Sequence, residues 1–154
     1  MNDRQAPNYE LLTAQAQALL SGQFNLIANA ANLCALLFLE LQDVNWVGFY
    51  FLEGDILMLG PFQGQPACVE IPLGQGVCGI AAATGEVLRV ANVHDFDGHI
   101  ACDSASESEL VIPLYKNDHL IGVLDLDSSI AGRFDETDES GLIEIAKVFL
   151  NSLA

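Results

Sequence analysis

Apolar residues recur along this chain with two different periods, and the change of period divides it into helices and strands. Pro7 suits a first helical position and Gly22 suits an end, so residues 7–21 are expected to be helical. A second helix is expected over residues 25–42, where Leu26, Ala30, Leu33, Leu37 and Leu41 keep helical spacing. Cys34 lies one step from Leu33 on that stripe, the place of a small core residue. The period then shortens. NWVGFYFL (45–52) is aromatic and β-branched, a strand with Trp46, Gly48 and Tyr50 on one face and Val47, Phe49 and Phe51 on the other. Glu53-Gly54-Asp55 turns into a second strand, ILML (56–59), and GPFQGQP is a loop. ACVEIPL (67–73) is a third strand. GQGVCGIAAATGE is a glycine loop feeding a short helix over residues 77–84. VLRV (87–90) is a fourth strand.

Residues 91–108 form a long loop, of a length that is usually functional or disordered. ELVIPLY (109–115) and HLIGVLDLDS (119–128) are two strands joined by a turn at residues 116–118. A last helix starts near Glu136, with Asp135 as its N-cap. The fold class is therefore α+β. One domain over residues 1–154 carries a mostly antiparallel six-stranded sheet, with the terminal helices on one face. The long loop before the fifth strand is expected to cover the other face as a lid. The order of the strands does not follow from the pattern.

With 154 residues, 51% of them hydrophobic, the chain can bury one sizeable core. No run approaches the roughly 18 uninterrupted apolar residues of a membrane span. The start, MNDRQAPNYELL, has no basic region leading into an apolar one. Cytoplasmic location is the expectation. The net charge is −16, from 21 acids against 5 lysines and arginines. Nucleic-acid phosphate and anionic membrane are disfavoured as partners, since both need clustered Lys and Arg. A small zwitterionic or cationic ligand suits this charge.

The last strand is unusual. Its two-residue period sets Ile121, Val123, Asp125 and Asp127 on one face. Two carboxylates then project side by side, ~7 Å apart along the strand. Either they are solvated at an exposed end, or they form a pocket for a cation, an ammonium group or a shared proton. Glu109 opens the neighbouring strand and could complete a three-acid cluster. It also ends the loop HIACDSASESE, where Cys102 sits among polar residues rather than in an apolar core. Cys68 lies on a strand and Cys78 at a glycine-rich helix start. The three cysteines are either unrelated small residues or a redox set, in which one thiolate attacks and others close a disulfide on its sulfenic acid. A helix N-terminus or His99 could activate such a thiol. No CxxC pair exists, and His94, His99 and Cys102 with Asp95 and Asp97 fit no standard zinc spacing. No metal site and no cofactor are expected.

Four blocks taken together resemble the free methionine-(R)-sulfoxide reductases, a family built on the GAF fold. They are NWVGFYFL, LGPFQGQPACVEIPLGQGVCG, VHDFDGHIACDSASESELVIPL and IGVLDLDS running on to GRFDETDE. The resemblance implies that Cys102, in HIACD, attacks the sulfoxide sulfur, releases methionine and becomes a sulfenic acid. It implies that Cys68 resolves this as a disulfide, that Cys78 is a further exchange partner, and that thioredoxin then reduces the protein. It implies that Glu109, Asp125 and Asp127 bind the substrate amine and help protonate the sulfoxide oxygen. Trp46 would line the methyl end of the pocket, with Tyr50 in the same wall. Stereochemical preference rests on the resemblance alone, and so does a homodimer, GAF domains often pairing through their terminal helices. Two other readings compete: a GAF-type sensor that binds a small ligand without turnover, and a redox sensor in which a Cys68–Cys102 disulfide changes shape.

Overall fold

Asparagine oxygens start the first two helices. The computed structural model describes residues 4–98 and 106–154. In it the side chain of Asn8 accepts from the Leu11 N–H, and that of Asn25 accepts from the Ala28 N–H. They cap α1 (Tyr9–Leu20) and α2 (Leu26–Glu40). Pro7 is thus outside the first helix rather than its first residue, because Asn8 supplies a capping oxygen that proline lacks. The chain continues through β1 (Trp46–Glu53), β2 (Ile56–Gly64), β3 (Glu70–Pro72), α3 (Gly76–Thr84) and β4 (Leu88–Val90). A single 3₁₀ turn (Val93–Asp95) follows, then β5 (Ser108–Lys116), β6 (His119–Ser128) and α4 (Glu136–Ser152). Asp135 caps α4 in a reciprocal box with Asp138, as the sequence leads one to expect. Asn117 and Asp118 both take positive φ, the geometry of a tight two-residue turn between β5 and β6.

The strands form one sheet in the order β3-β2-β1-β6-β5-β4, and all the described pairings are antiparallel. Two strand boundaries differ from expectation. The second strand does not stop at Leu59 but runs to Gly64, because a register shift opposite β1 between Gly48 and Tyr50 absorbs Gly60 and Pro61. A bulge is one of the few places where a sheet tolerates proline. The third strand is only Glu70–Pro72, not residues 67–73. The carbonyls of Gln65 and Cys68 are taken by side chains of β1, so this segment folds over the sheet face instead of extending its edge.

Alternation along the central strands makes two cores. Val47, Phe49, Leu110, Ile112, Leu114, Leu124 and Leu126 point to the face covered by α1, α2 and α4, where they meet Leu33, Leu37, Leu142, Ile145 and Phe149. Cys34 is fully buried there, donating to the Pro61 carbonyl, and burial pushes its thiol up to about 12. The opposite face carries Trp46, Tyr50, Val111 and Val123 under Val77, Cys78, Ala81 and Ala82 of α3. The helix α3 therefore covers this second face. The flanks of the long loop are anchored, since Val93 is buried, its N–H reaches the Glu107 carbonyl, and Gly98 accepts from the first residue of α3. The middle of the expected lid, residues 99–105, lies outside the described residues.

One buried polar network ties the two ends of the chain. Asp138 accepts from Tyr9 Oη at 2.6 Å and from the Arg133 guanidinium at 3.1 Å, while Arg133 Nε donates to the Gln42 carbonyl. Both charged side chains are almost fully buried. Removing one member of a buried pair strands the other charge, which costs about 3–5 kcal/mol. Asp138→Ala is expected to lower the unfolding free energy by about that amount in urea titrations; a loss below about 1 kcal/mol would show that the network is not what holds α1 to α4.

Candidate active site

Antiparallel pairing turns neighbours on three strands into one patch. Directly opposed residues point to the same sheet face. Asp127 lies between Trp46 on β1 and Glu109 on β5. Asp125 lies between Gly48 and Val111, and Val123 lies beside Tyr50. The three expected acids therefore meet. All three are buried, at 7% exposure for Glu109, 5% for Asp125 and 9% for Asp127. That removes the reading in which they are solvated at an exposed strand end.

Their environment decides their protonation. Burial raises the Glu109 acid well above its ordinary value, and the charges of Asp125 and Asp127 raise it further. Asp125 is also raised by burial, with hydrogen bonds from Glu109 and Cys78 acting against the shift. The thiol of Cys78 sits 3.9 Å from the Glu109 carboxyl, in the first turn of α3. A helix N-terminus favours thiolate. Here burial outweighs it, and the neighbouring acids add to the rise, so Cys78 is held as a thiol. The patch can do two things at once: keep a proton on one carboxyl, and present negative charge to a cation.

An aromatic wall stands beside the acids. Trp46 stacks on Tyr50 with centroids 5.9 Å apart and on Phe62 at 5.3 Å. The Trp46 indole N–H donates to the Gln65 carbonyl, and Tyr50 O–H donates to the Cys68 carbonyl, each at 3.0 Å. Gly48 makes this arrangement fit, because a Cβ there would lie 2.3 Å from Cη2 of Trp46. Gly48, Phe62 and the Gln65 carbonyl were not among the expected site residues. The sequence pattern places Phe62 in a loop, and the signal for it is the aromatic residue inside PFQG.

The cysteines divide. Cys34 and Cys78 are free, and Cys68 is held in a disulfide on the segment fixed by Tyr50. Cys102, its expected partner, lies outside the described residues, as does His99. His94 does not join the site; its exposed ring pairs with Glu107 at 3.3 Å.

The raised acids give a sign to the pH dependence of stability. The folded protein holds protons more tightly than the unfolded chain, so the slope of stability against pH is negative. The contribution is fully present below the ordinary carboxylate value of 4.5 and is lost as pH rises toward the raised value of Glu109. The ligand-free protein is expected to lose stability above pH 4.5 by up to about 1.4 kcal/mol per pH unit for one proton. Glu109→Gln should flatten that slope in urea titrations across the range; an unchanged slope would remove Glu109 as the retained proton's site.

Residues 16–154 match the GAF domain model. The chain is 53% identical over 137 residues to the free methionine-R-sulfoxide reductase of Escherichia coli, covering 89% of this chain and 83% of that protein. It is 40% identical to the protein of the same name from Saccharomyces cerevisiae, over 93% of this chain and 84% of the relative. Among solved structures, fRMsr of Staphylococcus aureus in complex with its substrate superposes with a TM-score of 0.95 at 48% identity, covering 99% of this chain and all of the other. Among the described residues, no helix is long and apolar enough to cross a membrane. Sequence identity across nearly the whole chain and the superposed backbone agree, and the protein belongs to the free methionine-R-sulfoxide reductase family, built on a GAF domain.

Proposed function

We propose that this protein is an oxidoreductase that reduces free L-methionine (R)-sulfoxide to methionine, using Cys102 as the nucleophile. The observation that carries the reading is the buried trio of Glu109, Asp125 and Asp127 beside the Trp46–Tyr50 wall. A free amino acid brings an ammonium group, which three acids favour. Its S-methyl end suits an aromatic surface. A sulfoxide oxygen leaves only when protonated, and a carboxylic acid kept neutral by burial and like charges can donate that proton. A protein-bound methionine has no free ammonium, so the same acids select the free amino acid.

The chemistry balances with two thiols. The Cys102 thiolate attacks the sulfoxide sulfur while an acid of the trio protonates the oxygen. Transfer of that oxygen releases methionine, reduced by two electrons, and leaves Cys102 as a sulfenic acid. The Cys68 thiol then attacks the sulfenic sulfur, expels water and closes a disulfide. An external dithiol, here thioredoxin, exchanges with this disulfide and becomes oxidised as both cysteines return to thiols. The disulfide at Cys68 supports this role. Cys78, buried as a thiol beside Glu109, serves as a later exchange partner only if the pocket opens. The exposed apolar side chains of Leu11, Ile27 and Leu39 on α1 and α2 favour a homodimer through these helices in the cytoplasm.

The test is methionine formed from racemic methionine sulfoxide with thioredoxin recycling, read by a stereospecific assay. Half the substrate should be consumed, all of it the R epimer. Cys102→Ser should abolish even one turnover, whereas Cys68→Ser should give one equivalent of methionine and no cycling. Glu109→Gln should slow the chemical step by about 100-fold or more. Stoichiometric ligand binding with no methionine would instead favour a GAF-type sensor, and oxidation by peroxide without methionine would favour a redox sensor.

A further inference from the structure

Cys78, Glu109 and Asp125 come from α3, β5 and β6, and each offers one ligand atom. These atoms all lie within 4.8 Å of one another, and all three residues are buried. Cys78 Sγ is 3.9 Å from Glu109 Oε2. A tetrahedral zinc ion, with Zn–S of about 2.3 Å and Zn–O of about 2.0 Å, holds sulfur and oxygen about 3.5 Å apart. The sulfur and the Glu109 oxygen would need to close by about 0.4 Å to reach that geometry, and no two of the three ligand atoms start more than 4.8 Å apart. A second observation points to a ligand: the hydrogen bonds from Glu109 and Cys78 to the Asp125 carboxylate leave its buried Oδ1 without a partner. A buried acceptor left unpaired is uncommon and calls for a bound group.

The ligand set also selects the ion. Carboxylates alone suit magnesium and calcium, which take six or more oxygens. A thiolate beside two carboxylates suits a softer, lower-coordinate ion. Nothing in this trio comes from the loop cysteine and histidines whose spacing argued against a metal. We infer that Cys78, Glu109 and Asp125 bind a thiophilic divalent cation of the zinc class between α3 and the sheet. Asp127, opposite Glu109, adds negative charge beside it. Coordination forms a sulfur–metal bond as the Cys78 thiol proton leaves to solvent, and a proton held by Glu109 leaves with it. No electrons move. Affinity therefore rises with pH. The cation occupies the place where the substrate ammonium would sit, so it excludes substrate; this consequence, unlike the binding itself, rests on the proposed function.

Cobalt(II) tests the inference without activity. Thiolate ligation gives cobalt a near-ultraviolet charge-transfer absorption that carboxylates alone do not give, so loose binding to an acidic surface stays silent. The protein is used with Cys68 in its disulfide and without added thiol. One equivalent of cobalt should produce the absorption, zinc should abolish it by displacement, and the signal should grow with pH. Cys34→Ser should keep it and Cys78→Ser should lose it. Glu109→Gln should weaken cobalt binding about tenfold or more. Absence of the absorption in the natural chain, or its survival in Cys78→Ser, would overturn the site. Should Cys78→Ser fail to fold by circular dichroism, the natural chain still decides. Zinc should protect Cys78 from alkylation in a partly denaturing concentration of urea, read by peptide mass, and unprotected Cys78 would overturn the site. Cobalt binding that methionine sulfoxide fails to weaken would support the cation site and count against the substrate assignment.

Discussion

Three carboxyl groups in one buried patch cannot all be ionised at low dielectric, and much of this molecule follows from that constraint. Glu109 and Asp127 are forced together by the pairing of β5 with β6, and Asp125 is two residues along the same strand. Residues of α3 pack over this face of the sheet. Like charges held this close must keep a proton or take up a cation. The backbone ladder is what prevents them from separating. That ladder is held in turn by the apolar core on the other face, where Phe49, Leu110, Leu124 and Leu126 lock the same three strands against α2 and α4.

The sheet thus divides its work by face. Every second residue of β1, β5 and β6 builds the core, and the residues between build the site. Trp46, Gly48 and Tyr50 are interleaved with Val47 and Phe49, so the aromatic wall and the core share one backbone. A change that slips one strand by a single residue would exchange acid and leucine across the sheet. This coupling explains why a cluster that is costly to bury can persist: its position is fixed by packing some distance from its own charges.

The free thiols show what environment does to one side-chain type. Cys34 is buried among aliphatic residues and is inert. Cys78 is also buried but faces carboxyls, which together with burial hold its proton on. Cys68 sits on a segment that leaves the sheet, its carbonyl pinned by Tyr50, so its sulfur can take part in a disulfide. Residue identity alone does not separate these three.

Much of this was legible in the chain itself. The period of two in HLIGVLDLDS set Asp125 and Asp127 on one face, and the period near 3.6 set Cys34 in the core. Asp135 marked the start of α4. Boundaries controlled by long-range pairing were not legible. The continuation of β2 through Gly60 and Pro61 depends on a bulge opposite β1, and the late start of β3 depends on side chains of Trp46 and Tyr50 capturing carbonyls before it. The sequence by itself determined the elements, the alternating faces and the residues that could react, because those follow from local periodicity and side-chain chemistry. Only the tertiary structure decided that the acids are buried, that α3 roofs them and that Cys78 joins them, because burial and mutual distance arise from strand order and packing, which no local pattern encodes.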